Sequence, residues 1–95
     1  MAEGEKPLFI PLKSQFYEQF VAGTKRIEYR KYGARWNERT CPIGRAVTIS
    51  KGYGTKHRRS GKVVRFEQRY MNSNDWLECY GEPGTAACIH IELEG

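Results

Sequence analysis

Between Ser14 and Arg30 the hydrophobic period changes once, and that change constrains the fold more than any other feature of the chain. Phe16, Tyr17, Phe20 and Val21 recur at helical spacing. They form an apolar core stripe of about two turns, with Ser14 expected as N-cap and Gly23 as the stop. Past Lys25 the pattern alternates: Arg26, Glu28 and Arg30 fall on one face of a strand, Ile27 and Tyr29 on the other. The apolar pair is expected to face a core while the charges line a surface or cleft. The plainer alternative is a solvated face carrying one Glu–Arg pair.

The rest of the chain reads as short strands. Leu8–Leu12 is a first strand, with Pro11 marking an edge or an end. Arg26–Tyr32 is a second, and a polar connection over Gly33–Arg45 follows, long enough to be a candidate functional segment. Ala46–Ser50 is a strand of β-branched alternation, Tyr53–Gly61 a glycine-rich basic loop, and Lys62–Arg69 a returning strand. Met71–Gly84 looks irregular, with one helical turn at Asp75–Tyr80. Ala87–Leu93 closes the chain, setting Ile89, Ile91 and Leu93 against Cys88, His90 and Glu92. Five strands and one clear helix in 95 residues predict a single α+β domain on a small curved sheet, with PUA-like and OB-like barrels both compatible.

Charge narrows the partner. Residues 1–66 carry 15 Lys/Arg against 5 Asp/Glu, and residues 67–95 carry 1 against 6. A chain polarised in this way presents a basic face, for which a polyanion is the natural partner. Lys51-Gly52-Tyr53-Gly54 and the following Lys56, His57, Arg58, Arg59 and Lys62 form a run without an acidic residue. Cations interleaved with aromatic rings suit single-stranded nucleic acid, phosphates taking the former and unstacked bases the latter. Trp36, among Arg35, Asn37, Arg39 and Arg45, offers a similar mixture or a core plug under its loop.

Cys41, Cys79 and Cys88 are odd in number, far apart and without a C-x-x-C pair, so they read as reduced structural thiols. His57 and His90 do not complete a zinc spacing, and no cofactor is implied. His57 reads as a basic-loop residue and His90 as structural. No nucleotide-binding glycine fingerprint or serine triad is present. No apolar run is long enough to span a bilayer and no N-terminal signal pattern is seen, so a soluble, cytoplasmic protein is expected; Met1–Lys6 reads as a polar lead-in.

The octapeptide Gly23–Arg30 carries a resemblance. Its G-x-K-x-x-E-x-R pattern, formed by Gly23, Lys25, Glu28 and Arg30, resembles the signature of the ASCH domain family. The flanking order agrees: an apolar strand with Pro11-Leu12-Lys13, a short helix, the motif, then several strands. The resemblance covers most of the chain, although its specific part is those eight residues, and it favours a PUA-like barrel. It implies an RNA- or nucleotide-binding domain in RNA metabolism, RNA before DNA, with Lys25, Glu28 and Arg30 as the cleft floor. Trp36, Lys51, Tyr53, Arg58 and Arg59 are then the expected rim.

Some ASCH relatives are amidohydrolases that deacetylate acetylcytidine nucleosides, which makes a small hydrolase the alternative. Carried onto this chain, Lys25, Glu28 and Glu67 would be the catalytic groups. The relatives place a nucleophilic threonine where this chain has Glu28, and a carboxylate is not an equivalent acyl acceptor. A metal-independent ribonuclease using Lys25, Glu28, Arg30 and His57 is a further enzymatic alternative.

Overall fold

The computed structural model describes residues 6–94. Its elements are β1 (Leu8–Leu12), α1 (Ser14–Ala22), β2 (Ile27–Lys31), β3 (Ala46–Lys51), β4 (Arg58–Met71), α2 (Asn74–Tyr80) and β5 (Gly84–Leu93). All of the expected Met1–Lys6 lead-in except Lys6 lies outside the described residues. Among those residues no helix is long and apolar enough to cross a membrane.

The cap of helix α1 lies one residue earlier than expected. Lys13 holds the extended N-cap position without a side-chain cap bond, and Ser14 is already helical. Lys13 C=O accepts from Phe16 and Tyr17 N–H, both at 3.0 Å. The stop at Gly23 is as expected: its φ of 85° is left-handed, where a side chain costs about 1–2 kcal/mol. Thr24 N–H then closes on Gln19 C=O at 3.0 Å, and the chain leaves directly for β2.

The five strands form one mixed sheet in the order β1-β3-β4-β5-β2. β1 runs parallel to β3, and the other neighbouring pairs are antiparallel. β4 is longer than predicted because the ladder to β3 begins at Ser50↔Arg58, converting Arg58–Gly61 from loop to strand. A register shift between Val63 and Arg65 leaves Val64 as an extra residue. Val63 and Phe66 can then both pack on the main core, which a strict two-residue period forbids. At Gly61 the strands approach so closely that an added Cβ would lie 2.5 Å from Glu92 O.

One face of the sheet holds the main core, where Ile10, Val47, Ile49, Val63, Ile89 and Ile91 meet Tyr17 and Phe20 of α1. Trp36 and Cys41 of the long connection complete it. On the opposite face Trp76 of α2 covers Ala86 and Cys88, with Ile27, Tyr29 and Met71 against them. The expectation for β2 therefore holds only in part. Ile27 and Tyr29 do meet a core, but it is the smaller one, while buried Glu28 turns toward the main one. The register explains this, since Glu28 pairs with Ile89 and Arg30 with Ala87, both main-core residues.

The sheet is open, with β1 and β2 as its edges, and no ladder joins them. A side chain does: Arg30 Nη2 donates to Pro11 C=O at 2.8 Å.

Candidate ligand-binding site

The motif residues sit at this seam. Lys25 Nζ donates to Ile27 C=O at 2.7 Å and lies 5.3, 5.6 and 5.4 Å from the ring centres of Phe16, Phe20 and Tyr29. Such ring faces attract a cation. Glu28 Oε1 is 4.0 Å away. Burial pushes the Lys25 pKa below its ordinary value, and the nearby carboxylate of Glu28 only partly opposes it.

Glu28 is tied mainly to Arg30, whose Nε donates to Oε2 at 2.7 Å. The Arg30 guanidinium also lies 5.0 Å from the Trp36 ring centre, with Arg35 at 5.6 Å from the same ring. Glu28, Pro11 C=O and Trp36 thus engage Arg30 from three sides. Arg30 serves as a latch between the edge strands, and Glu28 orients it.

The free edge of β2 adds a second set of polar groups. Arg26 C=O accepts from Ile91 N–H and Tyr32 N–H donates to Thr85 C=O, each at 2.9 Å, so the even-numbered residues face β5. The odd-numbered ones face outward. Lys25 caps Ile27 C=O, whereas the N–H and C=O of Tyr29 have no hydrogen-bond partner among the described residues. Beside this edge, between α1 and α2, lies a cavity of about 370 Å³. Its rings are Phe16, Tyr29, Trp76 and Tyr80; its polar groups include Lys25, Glu28, Ser73 and Asp75. Trp76 and Tyr80 pack with ring centres 4.4 Å apart. The Trp76 indole N–H is buried near Gly84 and has no acceptor among the described residues. Ser73 caps α2, its hydroxyl accepting from the backbone N–H of Trp76 at 3.3 Å.

A second cavity of about 310 Å³ also has Lys25 in its lining, where it is joined by Arg26 and by Arg59 from β4. Of the expected rim, Arg59 shares this cavity with the motif residue Lys25. Lys51 is bound to Glu18 of α1 at 2.6 Å, and that ion pair, led by the hydrogen bond, lowers the Glu18 pKa. Tyr53 and Arg58 form a separate group at the β3–β4 turn, Arg58 lying 4.9 Å from the Phe9 ring centre and Tyr53 6.3 Å from it. Trp36 is buried in the main core rather than placed on a rim, because the 32–45 connection folds back over the sheet.

Glu67 does not join Lys25 and Glu28. It lies on β4 opposite Cys88, which in turn opposes Tyr29, so it stands two strands from β2 and on the face away from Glu28. There it bonds His90 Nε2 at 2.8 Å, flanked by Arg65 and Arg69 at 3.7 and 3.6 Å. The His90 hydrogen bond, then the two arginines, hold its carboxyl below the usual value despite some desolvation. His57 is exposed at the turn. Cys41 and Cys88 are buried thiols, the latter pushed up in pKa by that burial, while Cys79 is exposed and lines the aromatic cavity. Among the described residues no cluster of His, Cys, Asp or Glu is arranged to hold a metal ion.

Four cavity residues escape sequence reasoning. Phe16 belongs to a stripe assigned to the core, yet it is 37% exposed at the cavity. Trp76 and Tyr80 lie in the one helical turn expected within an irregular segment, and their i, i+4 spacing belongs to a helix too short to show a clear period. Arg26 stands out in the sequence only as part of an alternating face. No known family model matches this chain, and no curated protein matches its sequence.

Proposed function

We propose that this chain is an ASCH-like, PUA-related domain that binds RNA or a nucleotide at the free edge of β2. The observation that carries the reading is the cavity of about 370 Å³, which pairs aromatic walls with Lys25 and Glu28. The unpaired Tyr29 main chain adds a donor and an acceptor beside it. A nucleobase is a planar ring with donors and acceptors on its edge, and it matches each part of that lining. Stacking on an aromatic side chain contributes about 1–3 kcal/mol per base. Arg30 acts from behind, held by Glu28 of the lining, while Lys25 fronts the ligand. The excess of cations over residues 1–66 favours a polyanionic partner, and an RNA partner would place the chain inside the cell.

Titration of labelled single-stranded RNA and matched DNA at 50 and 200 mM salt tests this, with the recovered RNA checked for cleavage. Tighter RNA binding that weakens steeply with salt is expected. Absence of RNA binding at low salt, or affinity indifferent to salt, would refute the RNA reading and leave a free nucleotide as the ligand to test. One observation favours a hydrolase as second reading: burial lowers the Lys25 pKa beside a carboxylate, which suits an amine base. Under that reading Lys25→Ala abolishes turnover of acetylcytidine while sparing much of the binding.

A further inference from the structure

Resting on the nucleotide reading, we propose that the ligand carries a phosphate and that Arg26 and Arg59 hold it, in the second cavity, on the other side of Lys25 from the base. Lys25 has a place in the lining of both cavities, so one side chain is common to the aromatic walls and the arginine pair. Its ammonium is held by Ile27 C=O and three rings, and it marks a fixed point over which a ribose would lie.

The two arginines come from distant parts of the chain and reach the cavity through the register. Arg59 pairs with Ile49 and so shares the main-core face of β4, and Arg26 is tied to Ile91 through its C=O. Neither guanidinium makes an ion pair or hydrogen bond among the described residues. Arg59 is nevertheless half-buried, which leaves forked donors partly withdrawn from water and without an acceptor. A phosphate oxygen supplies that acceptor in the geometry guanidinium prefers.

Glu92 and Glu94 also line this cavity and would oppose an anion. Strand alternation limits their effect. Ile91 and Leu93 pack on the main core, so Glu92 turns to the other face, opposite Lys62, and both carboxylates are exposed. Three cations from two directions therefore face the cavity, and the acidic side chains stand at its margin.

The experiment is a calorimetric titration of the four common ribonucleosides and their 5′-monophosphates into the full chain, the Arg26→Gln variant and the Arg59→Gln variant. At least one monophosphate should bind about tenfold or more tighter than its nucleoside. Each substitution should remove most of that gain while leaving nucleoside affinity unchanged, and inorganic phosphate should compete with the monophosphate alone. Equal affinity for nucleoside and monophosphate, or equal loss of both in the variants, overturns the phosphate subsite and leaves the base cavity standing. Binding of neither overturns the nucleotide reading as well. Thermal melts of both variants should match the parent, since neither side chain holds the fold together.

Discussion

Replacing Arg30 by alanine tests whether this motif residue is a structural latch or a ligand contact. The guanidinium bonds Glu28 at 2.7 Å and Pro11 C=O at 2.8 Å and lies 5.0 Å from the Trp36 ring centre. Its removal strands a carboxylate whose side chain is only 10% exposed and frees β1 from β2 at the seam. Breaking a buried pair by deleting one partner costs about 3–5 kcal/mol. Arg30 itself is 23% exposed, and solvent screening moves the expectation to the lower end, about 3 kcal/mol. With a urea slope of about 1–1.5 kcal/mol per M for a domain of this size, the denaturation midpoint should fall by about 2–3 M. Arg30→Lys should recover only part of the loss, because an ammonium cannot bond Glu28 and Pro11 through a rigid fork. The companion substitution Glu28→Ala completes a double-mutant cycle, in which the double variant should be less destabilised than the sum of the two single ones. An unchanged urea midpoint in Arg30→Ala, accompanied by lost RNA binding, would refute the latch and return Arg30 to the cleft floor.

Three further outcomes follow from the same geometry. Gly61→Ala should destabilise the fold by about 1–3 kcal/mol in urea, since the new methyl would meet Glu92 O in the backbone of the adjacent strand. Tyr80→Ala should weaken base binding by about 1–3 kcal/mol in titration. It should change the melting temperature little, because Tyr80 is at the surface. The Lys25 pKa is lower in the folded state than in the unfolded chain, so the unfolded state binds more protons between the two values. Stability from this group should therefore rise as pH climbs through the folded pKa towards 10.5, and Lys25→Met should remove that rise in pH-dependent urea melts.

The local elements were legible because each has a local cause. The αL stop at Gly23, the alternation of β5 and the five strands are readable from residue type and period. The helical turn at Asp75–Tyr80 was readable too, although its aromatic face was not, since a seven-residue helix carries little periodic signal. Where β4 begins was hidden for a different reason. Arg58–Gly61 is polar and glycine-containing, and only pairing with β3 makes it a strand. The bulge at Val64 then reverses which residues face the core, an event with no mark in the sequence.

The site divides along the same line. Lys25, Glu28 and Arg30 could be singled out from the sequence because a strand period places charges two residues apart, whatever surrounds them. The face those charges occupy is a nonlocal property. Pairing Glu28 with Ile89 sends the carboxylate inward, and curling the sheet brings Arg30 to Pro11, 19 residues away. Strand register likewise brings Arg59 into the lining of a cavity that Lys25 shares and carries Glu67 to the opposite face. Sequence alone thus determined which chemical groups were available and the local conformations that carry them. Tertiary structure decided which of them meet, because register and burial act between residues far apart in the chain.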